Sequence, residues 1–416
     1  MVQVLPSIHR RINSPVLRLP QVTCCLASRD TGLETHAPNQ LATGAVSLLH
    51  QCIKHNESVS SLACLGEELY SSSLGDGICV WELPDLARAG LFDARSRHLR
   101  SVRVLLVNED RIFTAHGDRK IRIWKRRAVP SSPEKTTYRF IATLPTFKSR
   151  LWKSLSQNNY VQIRRHHKKL WIEHVDTISA LAYGKVFGVL YSASWDKTVK
   201  VWNTSNLECL ESISAHDDAV NALAVCDRTG ILYTGSADGK VKVWKRGHVN
   251  VRKHSLLAVL DGIHSKDASV NALALTNGGD FLFTAGSDRK MNVWGRWKSE
   301  DHVGKLLHKL EGCHSQAILT LSTCKHEEGQ LLLSGSADKT VILWQIDLQT
   351  GWITCVSVLE GHPAPVKSIC AAVLSRNNLL LGGDCLVYTG SSKTIKAWWV
   401  SKRGTSTSDH QLALEV

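Results

Sequence analysis

The feature that most constrains the fold of this 416-residue chain is a segment of twelve or thirteen residues that recurs along most of its length. A clear copy, Leu232–Trp244, has the sequence LYTGSADGKVKVW. Repetition of this kind indicates one small structural unit that is used many times in succession. The copies are Leu69–Trp81, Ile112–Trp124, Tyr191–Trp202, Leu232–Trp244, Leu282–Trp294, Leu332–Trp344 and Val387–Trp398.

Each copy has the pattern of a β-hairpin. A short apolar run leads into a turn of small residues, and beyond the turn Val241 and Val243 alternate with Lys240 and Lys242. Alternation with a period of two is typical of a strand with one buried face. Small residues with Asp and Gly at the bend are typical of a tight turn. Each copy therefore predicts two strands joined by a turn.

A His and an Asp accompany the copies at nearly constant positions. The Asp stands six residues before the closing Trp in the best copies, as Asp238 does before Trp244. The His precedes the copy, as in Glu360–Gly361–His362. A unit of this kind resembles a WD40 repeat, whose hallmark is a Gly-His near its start and a Trp-Asp at its end. The resemblance spans roughly residues 45 to 400 and implies an all-β fold, a seven-bladed WD40 β-propeller.

The chain departs from the WD40 pattern because no Trp that closes a copy is followed by Asp. Many members of the family keep the fold without that dipeptide, since the upstream Asp, the His, a strand Ser or Thr and the Trp hydrogen-bond to one another. The residues that follow the seven Trp are Glu82, Lys125, Asn203, Lys245, Gly295, Gln345 and Trp399.

The resemblance implies a buried polar network in each repeat, and in the fourth repeat it would join His216, Thr234 or Ser236, Asp238 and Trp244. A buried polar chain stabilises a fold only when every member is bonded. We therefore interpret the repeated His and Asp residues as structural rather than as ligands or catalysts. The network residues are Asp196, Trp202, His216, Asp238, Trp244, His264, Asp288, Trp294, His314, Asp338 and Trp344.

Three regions follow from the extent of the repeats. Residues 1–44 match no repeat and are expected to form a flexible N-terminal arm. Residues 45–400 form the propeller, and Ala45–Ile53 is expected to close the ring as the outer strand of the seventh blade, because an open sheet edge invites aggregation. Residues 401–416 are short and rich in Ser and Thr, and we expect a disordered tail.

An insert interrupts the array between the second and third repeats. Trp124 and Trp202 are 78 positions apart, whereas the other intervals are 42 to 54. The extra residues lie near 146–171, where the spacing of Phe147, Leu151 and Leu155 predicts one or two helical turns. The alternating stretches Tyr160–Arg165 and Lys169–Glu173 then predict a hairpin. Either Tyr138–Leu144 or Leu170–Glu173 supplies the outer strand of the preceding blade.

The insert and the residues that precede it concentrate the positive charge of the chain. From residue 119 to residue 172 there are fifteen Lys and Arg against one acid, Glu134, and the net charge of the whole chain is +14. A local positive potential attracts acidic partners and phosphates, and Trp152, Tyr160 and Trp171 offer faces for stacking. The alternative is a solvated basic loop without a ligand. The basic residues of the insert are Lys148, Arg150, Lys153, Arg164, Arg165, Lys168 and Lys169.

The sequence gives little support for catalysis. Gly235–Lys240 and Gly335–Thr340 resemble phosphate-binding loops, but they lack the required spacing and lead into strands. His166 and His167 are adjacent on a predicted strand, so their rings cannot both point at one metal ion. We therefore expect no enzymatic activity, no metal and no cofactor.

The composition indicates whether the chain crosses a membrane and in which compartment it lies. The longest apolar runs are far shorter than a membrane span, so we expect no membrane-spanning segment. The chain has 12 Cys without a CxxC pair. Such cysteines indicate buried reduced thiols in a cytoplasmic or nuclear protein.

Trp195 is the most distinctive candidate for binding a partner. It occupies the turn before Asp196, where most other copies have a small residue. A large aromatic side chain there adds nothing evident to the hairpin and is typical of an interface anchor, although its ring could instead pack on the neighbouring blade. Propellers of this family usually bind peptides or domains through loops on their top face. On that ground the further candidates are Arg100, His116, Asp176, Asp217 and Lys367.

Within the WD40 family, Trp195–Thr198 and the segment NYVQIRRHHKKLWIEH at Asn159–His174 resemble the plant JINGUBANG-type proteins. The resemblance implies a non-catalytic regulator, monomeric within its complexes, that acts through protein partners in nucleus and cytoplasm. One alternative is a nucleic-acid-binding protein that uses the basic insert. Another is a substrate receptor of a ubiquitin ligase, but Ser205 stands where such receptors carry a basic residue after the dipeptide Trp202–Asn203.

Overall fold

The computed structural model describes residues 46–53, 55–75, 77–92, 101–129, 132–164, 167–247, 253–261, 264–265, 267–295, 304–326, 329–373 and 385–400. The expected N-terminal arm and C-terminal tail lie outside these residues, as do Arg100 and Arg165. The strand of Arg164 is described, but its side chain is not.

Seven four-stranded antiparallel sheets form the blades of a propeller in this part of the chain. The first strand, β1 (Val46–Ile53), belongs to the last blade. Blade 1 consists of β2 (Val59–Leu65), β3 (Glu68–Ser73), β4 (Gly77–Glu82) and β5 (Ala87–Phe92), and blade 2 of β6 (Val102–Asn108), β7 (Arg111–His116), β8 (Ile121–Val129) and β9 (Ser132–Leu144).

An insert separates blades 2 and 3. It contains the helix α1 (Phe147–Ser154), a 3-10 turn at Gln157–Asn159, and the two-stranded hairpin of β10 (Tyr160–Arg164) and β11 (His167–Leu170). The predicted helix and hairpin are both present, but the second strand of the hairpin is His167–Leu170 rather than the predicted Lys169–Glu173. Because β9 is the outer strand of blade 2, the alternative Tyr138–Leu144 is right and the alternative Leu170–Glu173 is wrong.

The remaining blades repeat the same order of strands. Blade 3 consists of β12 (Ile178–Gly184), β13 (Val189–Ser194), β14 (Thr198–Asn203) and β15 (Cys209–Ser214), and blade 4 of β16 (Val220–Val225), β17 (Leu232–Ser236), β18 (Val241–Arg246) and β19 (His254–Leu260). Blade 5 consists of β20 (Val270–Leu275), β21 (Leu282–Gly286), β22 (Met291–Trp294) and β23 (Leu306–Leu310). Blade 6 consists of β24 (Ile318–His326), β25 (Gly329–Ser336), β26 (Val341–Ile346) and β27 (Ile353–Leu359), and blade 7 of β28 (Ser368–Val373), β29 (Cys385–Gly390), β30 (Thr394–Val400) and β1.

The first strand of each blade is its inner strand, and these strands contact one another around a closed ring that includes the contact between β2 and β28. The outer strand of blade 7 comes from the other end of the chain. Strand β1 pairs antiparallel with β30, with Val46 opposite Val400 and Ile53 opposite Thr394. This pairing gives the closing blade its fourth strand.

The core lies between the blades rather than inside any one of them. In one cluster Trp244 and Leu232 of blade 4 pack with Tyr191, Val199 and Val201 of blade 3. Analogous clusters bring the closing Trp of one blade against the strands of the blade before it. A single repeat therefore cannot bury its own apolar face, which is why the array folds as one unit.

Hydrogen bonds at one repeated position also join neighbouring blades. In several blades the side chain of the second residue of the inner strand donates a hydrogen bond to the next blade. The acceptor is the carbonyl oxygen of the first residue of that blade's inner strand. Asn221 Nδ2 donates to Val270 O at 3.1 Å, and Asn271 Nδ2 donates to Ile318 O at 2.9 Å. Ser60 Oγ makes the same bond, to Val102 O, at 2.6 Å. Buried carbonyl groups of this kind need a partner, so these side chains help to fix the ring.

The only α-helix described, α1, has eight residues. No helix in the described residues is long and apolar enough to cross a membrane.

Candidate functional site

Four blades contain a buried chain of hydrogen bonds that runs from the closing Trp through a hydroxyl and a His to an Asp. In blade 4, Trp244 Nε1 donates to Thr234 Oγ1 at 3.0 Å, and His216 lies 2.8 Å from that hydroxyl and 2.9 Å from Asp238 Oδ2. Of the two hydroxyls considered for this network, Thr234 is the member, whereas Ser236 Oγ accepts the backbone N–H of Asp238. The same chain joins His174, Ser192, Asp196 and Trp202, then His264, Thr284, Asp288 and Trp294, and then His314, Ser334, Asp338 and Trp344.

Blade 7 has hydroxyl groups in place of the carboxylate. His362 Nε2 lies 2.7 Å from Thr389 Oγ1, and its Nδ1 lies 3.0 Å from Ser391 Oγ, which stands one residue before the position that aligns with the Asp of other copies. Burial, helped by the charge of Lys396, lowers the pKa of His362 to about 4. The His residues of these networks are buried and each is bonded to neighbours, so their geometry is that of internal supports.

Blade 2 overturns the expectation that His116 is a binding residue on the surface. The His116 side chain is buried, and its Nε2 lies 2.7 Å from Thr114 Oγ1, which also accepts the Nε1–H of Trp124. His116, at the end of β7, thus takes part in the network of its own blade, and it has no surface to offer a partner. Asp118 bonds instead to Arg122, with 2.7 Å between Oδ2 and Nη2.

A pocket of about 300 Å³ lies at the end of the propeller that carries the turns between the second and third strands of the blades, which we call the top face. Its wall includes Leu74, Arg103, Trp195, Asn221 and Lys367, which come from blades 1, 2, 3, 4 and 7. Side chains from five blades can meet only around the axis of the ring. The pocket is therefore the top opening of the central channel.

Trp195 is held in the open at this pocket. Its backbone N–H donates to Thr177 O at 3.0 Å, which fixes the turn, while 45% of the residue is exposed. The guanidinium carbon of Arg103 lies 5.8 Å from the centroid of the indole ring. A cation at this distance from an aromatic face is attracted by the ring quadrupole. The ring is thus oriented by Arg103 and remains available on its exposed side.

The insert is attached to the propeller through its polar groups. Arg150 Nε lies 2.6 Å from Glu173 Oε1, and Trp171 Nε1 donates to Asn159 Oδ1 at 3.1 Å. The ammonium group of Lys200, buried in blade 3, donates to the carbonyl oxygen of Trp171. These bonds fix α1 and the hairpin in place. Trp171 is half-buried and Lys153 lies over its ring, so it is not the free stacking surface that the sequence predicted.

The apolar residues of α1 point away from the propeller. None of its eight residues is buried. Phe147 and Trp152 of the helix are 78% and 66% exposed, and Leu155, which follows the helix, is 74% exposed. The first turn of the helix begins at the N-cap Thr146, whose hydroxyl accepts the N–H of Ser149 at 3.1 Å. A basic helix with a large exposed apolar surface is typical of an interaction site.

A larger cleft, of about 1170 Å³, lies between the insert and the outer strand of blade 3. Leu210, Glu211 and Ser212 of β15 are consecutive, yet all three line it. Successive residues of a strand point to opposite faces of a sheet, so the cleft must run along the free edge of β15. The hairpin contributes Val161 and Lys169 to the opposite wall.

Several cations line this cleft without a carboxylate beside them. Of its four carboxylates, Glu173 and Glu211 bond to Arg150 and His254 at 2.6 and 2.7 Å. Asp196 bonds to His174 at 2.9 Å, and Asp176 is exposed. Among the residues that the structure describes, no carboxylate lies within ion-pair distance of the lining cations. These cations are Arg119 and Lys197, which donate to the backbone carbonyl oxygens of Val175 and Asp217, together with Lys169 and Lys253.

Comparison with protein families identifies the repeated unit. The model described as "WD domain, G-beta repeat" matches residues 166–203, 207–245, 255–295, 304–345 and 353–398, and each match ends at or just after the closing Trp of a blade. The chain belongs to the WD40 repeat family. Blades 1 and 2 of this WD40 propeller lie outside those five segments, and their four-stranded sheets assign them to the same ring. No curated protein matches the chain significantly.

The residues predicted to bind a partner at the top face of the WD40 propeller do not form one cluster. Trp195 and Lys367 line the central pocket, and Asp176 is exposed in the cleft beside blade 3. Asp217 is exposed and lines neither of them, and its backbone N–H donates to Asp238 at 3.2 Å. Sequence reasoning missed Arg103. Its position in the repeat could have indicated it, because Arg103 is the second residue of an inner strand. At that position four other blades have residues that hydrogen-bond to the next blade, namely Ser60, Ser179, Asn221 and Asn271.

In the part of the WD40 propeller that the structure describes, no group of three or more His, Cys, Asp or Glu is arranged to hold a metal ion. The insert residues Lys148 and Lys168 are exposed, and Lys153 and Lys169 are half-buried. Arg150 is engaged with Glu173. The charge that is free to act is therefore smaller than the sequence count implies.

Proposed function

We propose that the protein is a non-catalytic scaffold that binds partner proteins at the top opening of its propeller. The observation that carries the proposal is Trp195, a large aromatic residue that is held in the open by Arg103 beside a pocket. Trp, Tyr and Arg are enriched among the residues that dominate binding energy at protein interfaces. WD40 propellers are generally scaffolds of this kind.

The experiment compares two exposed tryptophans. Trp195→Ala should weaken binding of top-face partners by about thirtyfold, because a dominant aromatic contributes roughly 2 kcal/mol or more. Trp352 is the matched control, since 49% of it is exposed and it lies on the loop between β26 and β27, at the opposite end of the ring. Partners are isolated with the wild-type protein from native tissue, and their affinities for both folded variants are then measured. Equal affinities for Trp195→Ala and Trp352→Ala would place the interface elsewhere.

We further propose that the partners belong to a regulatory complex in the nucleus, the cytoplasm or both, in which one propeller acts as a monomeric unit. The resemblance of Asn159–His174 and Trp195–Thr198 to JINGUBANG-type proteins supports this proposal. Fractionation of native tissue, with detection of the protein and its partners in each fraction, tests it. Recovery of the protein in neither compartment would contradict it.

A second candidate function is recognition of an acidic segment by the insert. The free edge of β15 beside cations without carboxylate partners supports it, because an extended peptide could add to that edge and place acidic groups on Lys169 and Lys253. A nucleic acid is the alternative ligand, and exposed Trp152 is the feature in its favour.

Salt titration distinguishes the two ligands. A fluorescent octapeptide of alternating Glu and Val and a single-stranded RNA of mixed sequence are compared on the full-length protein. A nucleic acid should show a steep linear fall of log affinity with log salt, whereas the peptide should show a weaker slope. The double variant Lys169→Glu, Lys253→Glu should bind the peptide less tightly. The matched control is the double variant Lys305→Glu, Lys309→Glu beside blade 5. Peptide binding that is equal in both double variants would contradict the cleft as its site.

A further inference from the structure

Four thiols surround the blade that closes the ring. Cys370 in β28 and Cys385 in β29 belong to blade 7, whereas Cys64 in β2 belongs to blade 1 and Cys324 in β24 to blade 6. The Sγ atoms of Cys64 and Cys370 are 2.7 Å apart, and those of Cys324 and Cys385 are 3.2 Å apart. None of the four takes part in a disulfide bond. Each neighbour of blade 7 is thus joined to it by one pair of thiols.

Solvent access separates the two pairs. Cys64 is partly exposed, and its partner Cys370 is 9% exposed. Cys324 and Cys385 are 5% and 1% exposed, so an oxidant in solvent does not reach either of them readily. Burial, together with the contact with Cys64, raises the pKa of Cys370 well above its usual value. Cys370 therefore stays a thiol, and the accessible sulfur of Cys64 is the one that an oxidant meets first.

We propose that Cys64 and Cys370 form a reversible disulfide that locks blade 1 to blade 7 in response to hydrogen peroxide. Peroxide transfers one oxygen atom to the Cys64 sulfur, which gives a sulfenic acid and one water. The Cys370 sulfur then attacks that sulfur while its proton passes to the departing hydroxyl, so that the S–S bond forms and a second water leaves. Two thiols are oxidised and one peroxide is reduced.

The position of this pair gives the bond a consequence for the whole ring. Cys64 and Cys370 are 306 residues apart in sequence but lie on adjoining inner strands. A disulfide that closes so long a loop restricts the unfolded chain strongly. It also joins the two blades between which the ring would open if β1 detached. The proposal concerns a different surface from the top-face pocket, so it stands or falls separately from the scaffold function.

The test maps disulfides in the full-length protein. Reductant is removed, peroxide is added, free thiols are blocked after unfolding, and peptides are separated without reduction. We expect a linked peptide pair of Cys64 and Cys370, while Cys324 and Cys385 are recovered as blocked thiols. The midpoint of thermal unfolding should rise by about 5 °C on oxidation and return when dithiothreitol is added. Cys64→Ser should abolish that rise, and Cys313→Ser, at a partly exposed cysteine in the connection between blades 5 and 6, should keep it.

Three outcomes would overturn the proposal. One is recovery of Cys64 only as a sulfinic acid or as an unlinked thiol. Another is linkage of Cys64 to a cysteine other than Cys370. The third is linkage of Cys324 to Cys385 at the same rate as the proposed pair, because solvent access would then not decide which thiols react. The mapping uses the wild-type chain, so it remains decisive even if a Ser variant fails to fold.

Discussion

At the scale of single residues, Asp238 shows how a partly buried carboxylate becomes part of the fold. Burial by itself would raise its pKa, but hydrogen bonds from His216 and from the backbone N–H groups of Lys240 and Asp217 outweigh that effect and lower the pKa to about 2. The carboxylate is therefore ionised under ordinary conditions. Its removal would leave the donor groups around it without an acceptor.

We predict that Asp238→Ala lowers the free energy of unfolding by roughly 1–3 kcal/mol, because a buried donor without a partner loses its hydrogen bond to water as well. Urea unfolding of the purified protein measures the change. Asp267→Ala, at an exposed position in the connection before blade 5, is the control and should change little. Equal stability of the two variants would remove the structural role assigned to Asp238.

His362 gives a prediction about pH. Its pKa is about 4 in the folded protein, against about 6.5 in an unfolded chain, so the folded state binds fewer protons between those values. The free energy of unfolding should therefore fall as the pH drops from about 6.5 to about 4, by on the order of 3 kcal/mol from this residue.

The measurement is the stability of wild type and of His362→Gln across that range. The variant should lose less stability on acidification, because it lacks the group that takes up a proton on unfolding. Parallel curves for the two proteins would show that His362 does not cause the pH dependence.

Repetition decided which single residues could be predicted from the sequence. The His, Asp and Trp of the networks stand at fixed distances in several copies, so their hydrogen-bonded partners could be anticipated. His116 could not be placed, because the other copies have Ser or Gly at that strand position and its contact with Thr114 forms only in the folded hairpin. Arg103 was missed because inner strands vary at its position and its partner Trp195 is distant in sequence.

At the scale of elements, β1 carries the closure of the ring. It pairs with β30 along its whole length, from Val46 opposite Val400 to Ile53 opposite Thr394. Deletion of residues 1–40 should leave a folded, soluble protein. Deletion of residues 1–55 should expose the edge of β30 and cause aggregation, because an unpaired edge strand offers its backbone to other chains. Light scattering of the two truncated proteins distinguishes these outcomes, and identical behaviour would contradict closure by β1.

The insert is expected to be a recognition element that adds little to the stability of the propeller. Replacement of Arg164, Arg165, Lys168 and Lys169 by Gln or Ser should change the thermal midpoint little, because a long loop between blades costs only about 0.6 kcal/mol for each doubling of length. The same variant should bind an acidic peptide less tightly and with weaker dependence on salt. A protein that unfolds well below the wild-type midpoint would show instead that the insert supports the ring.

Elements of the insert could be predicted because their periods differ from that of the repeats. Helical spacing gave α1, and alternation gave the hairpin of β10 and β11. What could not be predicted is how they attach, because Lys200 and Trp171 meet only after blade 3 has folded. The cleft along β15 also depends on that attachment, so no local pattern indicated it.

At the scale of the whole molecule, the propeller is a ring whose stability is shared among interfaces. Clusters of buried side chains cross each boundary between the blades, and inner-strand hydrogen bonds add to several of them. Truncation of any closing Trp should thus weaken two blades at once. The seven-fold repetition made this architecture the most predictable property of the chain.

Closure by β1 also determines how the ring responds to mechanical force. Val46 and Val400 lie side by side at the same end of an antiparallel pair. A pull that draws these two residues apart loads the hydrogen bonds between β1 and β30 one after another, as in unzipping, rather than all together in shear. The propeller should therefore open at blade 7 under a small tension along the chain, even though the same ring resists heat through all of its interfaces.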